Sequence, residues 1–262
     1  GEISAAVAAG VLSLEDAVRL ACARGGLMQK LAGGGVMASV AAPAGEVRER
    51  IEGLAGVWVA AVNAPESVVL AGESDAVAGV VEELTAEGAR CRWLPVSHAF
   101  HTPLMDPVLD DFAAAIGELS FAPAQIPLVS TVSGELAGAD FGSAAYWVEH
   151  ARRPVLFADA VEVARELGVR VWAEVGPQPA LSAVMPEREG EVVTAFMRRD
   201  RDQQTGVLTG LARLHVHGVG VDWVKLVPSA GRVEVPTYAF QRRRYWAAGS
   251  VGSSAGSLSG AG

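Results

Sequence analysis

Two histidines three residues apart, His98 and His101, are the first candidates for chemistry in this sequence. They stand in the segment His98-Ala99-Phe100-His101, directly after a predicted strand, where the chain is expected to pass from one folded unit to another. Histidines in such a place serve as metal ligands, acid–base groups or structural residues. Neither a nearby cysteine nor a His-x-x-x-His pair supports a metal site, so the catalytic and structural interpretations stay open.

Arg24 is the second candidate, because it lies on the apolar side of a predicted helix. Its helical neighbours three and four residues away are all apolar or small: Leu20, Ala21, Leu27 and Met28. Arg19 on the same helix has Glu15 and Asp16 at those spacings and is predicted to be solvated. An inward guanidinium either extends to the surface or a distant carboxylate, or binds a ligand carboxylate through two parallel hydrogen bonds.

The elements that must position these residues alternate along the chain. Ser13 and Asp16 form a capping box that predicts a helix over 14–28. Residues 35–96 read β-α-β-β-α-β, which is the ferredoxin-like arrangement. After His101 the pattern predicts helices from Pro154 to Leu167 and from Gly206 to His217, another with its N-cap at Asp106, and strands at 128–132, 169–175 and 192–196. Such alternation predicts an α/β fold with a parallel sheet covered on both faces.

Composition narrows the class of protein further. The 262 residues are 50% hydrophobic and 19% charged, which suits one large domain or a domain with a smaller insert. A net charge of −9 disfavours nucleic acid as a partner. Two cysteines, Cys22 and Cys91, provide no disulfide framework and favour a reducing, cytoplasmic setting. Because no apolar run is long enough to span a bilayer, we expect no membrane association.

Several motifs, in this order, resemble those of one family. They are Gly1 to Ala6, Arg24 to Gln29, His98 to His101, Arg153-Pro154-Val155, Glu174-Val175-Gly176-Pro177 and Tyr238 to Trp246. Together they resemble the malonyl-selective acyltransferase domain of modular type I polyketide synthases. Gly1 to Ala6 is similar to the sequence that follows the nucleophile elbow, Gly-x-Ser-x-Gly, in that family. The resemblance therefore implies that the nucleophilic serine lies two positions before Gly1, in a longer polypeptide.

The resemblance also implies roles for the candidate residues. His101 would be the general base and Arg24 would bind the malonyl carboxylate. His98 and Phe100 would select malonyl over methylmalonyl, and the main-chain carbonyl of Arg153 would hold the His101 imidazole. The substrate would be malonyl-CoA and the acceptor the phosphopantetheine thiol of an acyl carrier protein, with no cofactor or metal in the domain itself. A ketosynthase and further synthase domains would be neighbours in the same polypeptide.

The implied organisation is a hydrolase-like parallel core, present in part, with an inserted ferredoxin-like subdomain. Residues 1–34 and 98–218 would form the large subdomain, 35–97 the insert, 219–248 a strap and 249–262 a flexible Gly/Ser linker. Two alternatives remain: a non-catalytic scaffold or docking fragment, and a stand-alone transacylase of the fatty-acid type. His150, His215 and His217 are predicted to be packing, surface or helix-end groups.

Overall fold

In the computed structural model, which describes residues 1–31, 33–226 and 234–241, the chain begins with two helices whose ends are set by local sequence. Helix α1 spans Glu2–Ala8 and is followed by Gly10, whose φ of 76° is readily adopted only by glycine. Helix α2 spans Leu14–Met28, and the Ser13 side chain accepts the Asp16 N–H at 3.0 Å. The predicted N-cap role of Ser13 and the predicted bounds of α2 are confirmed.

The next segment forms a compact sheet with two helices. Its elements are β1 (Gly35–Ala41), α3 (Ala44–Ile51), β2 (Val57–Ala64), β3 (Ser67–Glu73), α4 (Ser74–Ala86) and β4 (Arg90–Trp93). The strands lie in the order β4-β1-β3-β2 with every neighbour antiparallel. Val40, Leu70 and Val77 are fully buried in the core that strands and helices share. The predicted ferredoxin-like arrangement is confirmed.

Parallel pairing occurs at two places outside this unit. Strand β5 (Val155–Leu156) adds to β2 in parallel and extends the sheet to five strands. Strands β6 (Val171–Glu174) and β7 (Val192–Ala195) form a separate parallel pair. These parallel strands alternate along the chain with α7 (Phe157–Glu166) and α8 (Gln203–Val216), as the predicted α/β fold class requires.

A helical core packs beside the sheets and carries most of the candidate site. Helices α5 (Leu109–Ile116) and α6 (Ala144–Arg152) join α1 and α2 around Leu20, Ile116 and Trp147, which are at most 1% exposed. Burial of large apolar side chains such as these contributes about 1.5–3 kcal/mol each. The same packing fixes the relative placement of Arg24 on α2 and His150 on α6.

One predicted strand is wrong in type, and one predicted helix begins later than its proline. Residues 128–132 do not form a strand: they make one isolated bridge, Val129 with Leu136, around a turn. The Ser130 hydroxyl accepts the N–H groups of Val132 and Ser133 at 3.1 and 3.3 Å, so these donors are used locally instead of in a sheet. Pro154 does not open a helix, because the next two residues pair with β2 as β5 and α7 starts only at Phe157.

Two others differ in extent or burial. The strand predicted at 169–175 is shorter and only partly buried, since β7 is its one partner among the described residues and Val175 is 83% exposed. Asp106 is not an N-cap: it lies inside a 3₁₀ helix, Pro103–Val108, that the Thr102 side chain caps. The division at residues 34 and 97 stays a prediction, because Gly1–Val221 forms one compact unit.

The second compact unit comprises Asp222–Gly262. Its described part holds a short helix, α9 (Trp223–Leu226), and residues 234–241, which form neither helix nor strand. Tyr238 and Phe240 there have ring centroids 5.1 Å apart. The rest of the predicted strap and the whole predicted linker, 249–262, lie outside the described residues. No helix in the described ranges is long and apolar enough to cross a membrane.

Candidate active site

His101 lies in a loop after β4 whose backbone is tightly held. The Thr102 hydroxyl, 1% exposed, donates to the Ala99 carbonyl at 2.7 Å and accepts the Leu104 N–H at 3.3 Å. A Cβ on Gly35 would lie 2.4 Å from the Ala99 nitrogen, so the loop packs directly against the start of β1. His101 has a φ of 61°, the one positive value for a non-glycine among the described residues. Because that conformation costs about 1–2 kcal/mol, the surrounding contacts must impose it.

A main-chain carbonyl orients the His101 imidazole. Nδ1 lies 3.0 Å from the carbonyl oxygen of Arg153, the residue that the resemblance indicated. A carbonyl only accepts hydrogen bonds, so Nδ1 carries the proton, and in the neutral ring Nε2 keeps its lone pair. The side chain of Arg153 points elsewhere and is 55% exposed, 3.8 Å from Glu149. Arg153 therefore contacts His101 through its backbone.

The surroundings keep His101 neutral. Burial, then the positive charge of Arg24 and electrostatic repulsion from His150 when that ring is protonated, lower its pKa from 6.5 to about 4. Hydrogen bonds to the carbonyls of Arg153 and His150 raise the pKa but do not outweigh these effects. At neutral pH the ring is therefore an uncharged acceptor at Nε2, which is the form that a general base requires.

Arg24 extends inward from α2 and forms no ion pair with an acidic side chain of the described residues. Its Nη1 lies 3.3 Å from Nδ1 of His150, and this is its one hydrogen bond to the described residues. Burial lowers the pKa of Arg24, while the charge of Glu2 raises it. Guanidinium stays protonated under such conditions, so most of its five N–H donors are available to a ligand.

Glu2 is the nearest negative group, and its carboxylate is buried with a side-chain exposure of 7%. It accepts hydrogen bonds from the backbone N–H of Thr131 at 3.2 Å, from the Thr131 hydroxyl and from the Tyr146 hydroxyl. Burial raises the pKa of Glu2, but hydrogen bonds and the charge of His150 outweigh burial and lower it. The same contact and burial raise the pKa of Tyr146. Glu2 is thus a fixed, ionised group.

His150 joins the two charged groups. Its Nδ1 faces Arg24, its Nε2 lies 3.6 Å from a Glu2 carboxylate oxygen, and its ring centroid is 6.1 Å from that of His101. The sequence interpretation of His150 as a packing or exposed group is therefore incomplete. It missed Glu2, Thr131 and Tyr146 as well. The available signal was the spacing of Tyr146 and His150, four residues apart on one helix face.

His98 and Phe100 lie in the same loop as His101. The His98 ring contacts the Ser97 hydroxyl at 2.8 Å through Nδ1 and the Leu31 carbonyl at 3.3 Å through Nε2. Its ring centroid is 5.8 Å from that of Phe100, which is half-buried. A cavity of about 590 Å³ adjoins His98 and is lined also by Lys30, Leu104 and Met105. His98 therefore lies in the wall of this cavity, and its ring contacts Phe100.

The remaining candidates stand apart from this cluster. His217 ends α8, with Nδ1 2.7 Å from the Arg213 carbonyl, as a helix-end group would. In the described part of the chain, no three His, Cys, Asp or Glu side chains are grouped as metal ligands would be. The cluster of His101, Arg24, His150 and Glu2 is thus the place where acid–base and anion-binding groups meet.

Comparison with known proteins identifies the family. Residues 1–221 match the acyl transferase domain family, and the chain belongs to it. The chain is 48% identical over 266 residues to polyketide synthase GfsB of Streptomyces halstedii and 47% identical over 252 residues to the mycoketide-CoA synthase of Mycobacterium tuberculosis. These alignments cover 96% and 95% of the chain but 5% and 6% of those proteins, so the chain spans a small part of each.

Solved structures agree with this assignment. The acyltransferase domain from the second module of the salinomycin polyketide synthase superposes with a TM-score of 0.81 at 45% identity, over 92% of this chain and 58% of that chain. The malonyl CoA-acyl carrier protein transacylase of Clostridium perfringens superposes with a TM-score of 0.73 at 30% identity, over 82% and 70%. Both share the α/β fold described above.

The electrostatics of His101 lead to a titration prediction. We expect the midpoint of the His101 imidazole, followed by its C2 proton resonance in NMR, to lie near pH 4. Because the unfolded chain takes up this proton near pH 6.5, the free energy of unfolding should fall as the pH falls from 6.5 to 4. Arg24→Gln removes a positive charge and should raise the midpoint.

Arg19→Gln is the matched control, because Arg19 lies on the same helix but is exposed beside Glu15 and Asp16. It should leave the His101 midpoint unchanged. A midpoint near 6.5 in the unsubstituted protein, or equal midpoints in the two arginine variants, would contradict this account of the site.

Proposed function

We propose that this chain is the larger part of an acyltransferase domain of a modular polyketide synthase and that it transfers malonyl groups from malonyl-CoA to an acyl carrier protein. One observation carries the proposal: a neutral His101 with a free Nε2 lies beside an inward Arg24 that has no carboxylate partner within the described part of the chain. One group is suited to accept a proton and the other to bind a carboxylate. We assign the nucleophile to a serine that precedes Gly1 in the longer polypeptide.

The reaction proceeds in two steps of acyl transfer. The serine hydroxyl gives its proton to Nε2 of His101 as its oxygen bonds to the malonyl carbonyl carbon, and the thiolate of CoA leaves with that proton. The phosphopantetheine thiol of the carrier protein then gives its proton to Nε2 as its sulfur bonds to the ester carbonyl carbon. The ester C–O bond breaks, and the serine oxygen leaves with that proton. The Arg153 carbonyl holds Nδ1–H throughout, which keeps the ring in the reactive tautomer. The domain itself needs no cofactor for these steps.

Arg24 links substrate choice to the strength of the base. Its charge, after burial, is the next largest cause of the low pKa of His101. A malonyl carboxylate bound to Arg24 neutralises that charge, so the pKa of His101 rises when the correct substrate is present. An acetyl group leaves the charge uncompensated and the base weak. Arg24 therefore favours malonyl in both binding and chemistry.

The comparisons favour a synthase over a stand-alone enzyme. Identity with the synthase relatives is 44% or more in six of them, against 30% with the transacylase of Clostridium perfringens. A neighbouring ketosynthase, further synthase domains and a cytoplasmic setting belong to the same proposal. The stand-alone transacylase and the non-catalytic fragment remain the alternatives.

Malonyl loading tests the proposed function. The polypeptide encoded with its upstream sequence should contain Gly-x-Ser-x ending at Gly1, and with malonyl-CoA it should gain one malonyl group by intact-protein mass. His101→Ala should slow loading by a factor of about 10²–10⁴, because the general base is lost. Arg24→Ala should reduce loading of malonyl far more than loading of acetyl.

Arg19→Ala provides the control for loss of a positive charge from the same helix. An upstream sequence without the serine would refute the catalytic proposal and favour the non-catalytic fragment. Rapid malonyl loading that is insensitive to His101→Ala would contradict the role of His101.

We assign selectivity for malonyl to His98 and Phe100, whose rings contact each other. A phenyl ring beside the α-carbon leaves little space for a methyl branch, and one methyl group is worth about 1–3 kcal/mol in a pocket. We expect His98→Tyr combined with Phe100→Ser to raise loading of methylmalonyl relative to malonyl. Competition between the two CoA esters, read by intact-protein mass, measures the ratio. An unchanged ratio would contradict this assignment.

A further inference from the structure

We propose that Glu2 and His150 are positioning residues for Arg24, and that they set the preference for an acyl group that carries a carboxylate. His150 holds one guanidinium nitrogen, and Glu2 supplies negative charge from the far side of the imidazole. The remaining N–H donors of Arg24 stay free for the ligand. This inference rests on the proposed malonyl transfer and assigns roles to two residues that the transfer steps do not use.

Glu2 can act only from one fixed place. Its side chain is 7% exposed, and its carboxylate accepts hydrogen bonds from Thr131 and Tyr146. The Tyr146 hydroxyl is in turn 2.7 Å from the buried Ser130 hydroxyl, which also accepts two backbone N–H groups. A carboxylate with this many donors stays ionised and cannot swing toward Arg24 without leaving several of them unpaired.

The His150 imidazole lies between the Arg24 guanidinium and the Glu2 carboxylate and faces both. Arg24 can only donate, so Nδ1 of His150 accepts at 3.3 Å, and in the neutral ring the proton sits on Nε2, 3.6 Å from Glu2. The ring is held by Trp147 and Tyr146, with centroids 5.3 and 6.3 Å away, and the side chain is 10% exposed. The imidazole is therefore a rigid spacer.

The position of the His150 ring between Arg24 and Glu2 determines which Arg24 donors are available to a ligand. A direct Arg24–Glu2 pair would be bidentate and would occupy the fork that a substrate carboxylate needs. With His150 between them, Glu2 stabilises the buried cation but takes none of its donors. The cation remains incompletely paired, since among the described residues no carboxylate forms an ion pair with Arg24. A malonyl carboxylate completes the pairing, whereas an acetyl group cannot.

Two substitutions remove the charge of Glu2 or the contact that His150 makes with it, while they change the size of the side chain little. Glu2→Gln keeps the size of the side chain and removes its charge. His150→Asn keeps an acceptor near the position of Nδ1 and removes the group that faces Glu2. In the polypeptide that carries the upstream serine, each should raise the KM for malonyl-CoA about tenfold with kcat within about twofold, since each weakens ground-state binding. The kcat/KM for acetyl-CoA should not change.

Tyr146→Phe is the matched control for disturbance of the buried cluster. It removes one hydrogen bond to Glu2 but leaves the carboxylate and His150 in place. We expect a thermal unfolding midpoint at least as low as that of Glu2→Gln, together with an unchanged ratio of malonyl to acetyl transfer. If Glu2→Gln does not fold, His150→Asn carries the test, because it leaves all the Thr131 and Tyr146 contacts of Glu2 intact.

A double-mutant cycle shows whether Glu2 acts through Arg24. In the Arg24→Ala background, Glu2→Gln should cause no further change in the malonyl-to-acetyl ratio. A normal ratio in folded Glu2→Gln and His150→Asn, or an effect of Glu2→Gln that persists without Arg24, would overturn the inference. Failure of the unsubstituted polypeptide to transfer malonyl would instead refute the proposed function.

Discussion

The buried carboxylate of Glu2 is the constraint on which the arrangement of the site depends. A charge removed from water must be surrounded by donors, because an unpaired buried carboxylate costs several kcal/mol. Here the donors come from the turn at Thr131 and from Tyr146 on α6, and His150 on the same helix faces the second side. One carboxylate thus fixes α1, the turn and α6 relative to one another. His150 then reaches Arg24, so the position of the guanidinium follows from the position of Glu2.

A second set of contacts fixes the position and the backbone conformation of His101. The ferredoxin-like unit returns the chain against β1, where Thr102 and Ala99 leave His101 in a left-handed backbone conformation. Arg153, at the end of α6, presents its carbonyl to Nδ1 just before the chain joins the sheet as β5. The position of the His101 ring therefore depends both on the pairing of β5 with the sheet and on the packing of α6. Because His150 lies on α6 and Arg153 caps its end, this one helix contacts both Arg24 and His101.

The sequence predicted the features that depend on neighbours along the chain. The N-cap at Ser13, the apolar face around Arg24 and the strand–helix order of the ferredoxin-like unit are local patterns, and the structure has all three. The contact of Arg153 with His101 came from resemblance alone. Glu2 and Tyr146 are 144 residues apart, and no local pattern indicates that they meet.

The two errors have different physical origins. Residues 128–132 are apolar enough for a strand. The Ser130 hydroxyl, however, accepts hydrogen bonds from the N–H groups of Val132 and Ser133, which a strand would use to pair with its neighbour. Val155 and Leu156 have a partner in β2, which is distant in sequence, and this pairing overrides the helical pattern that follows Pro154. In the first case a local side-chain contact determines the backbone conformation, and in the second case a strand partner that is distant in sequence determines it.

The central claim is that Arg24 and His101 face one bound malonyl group, with Glu2 and His150 behind the guanidinium. A crystal structure of the chain with malonate tests it most directly. We predict one malonate carboxylate within about 3 Å of Arg24 on donors that His150 does not occupy, with the other end toward Nε2 of His101. Malonate bound away from Arg24, or Arg24 paired directly with Glu2, would contradict the account.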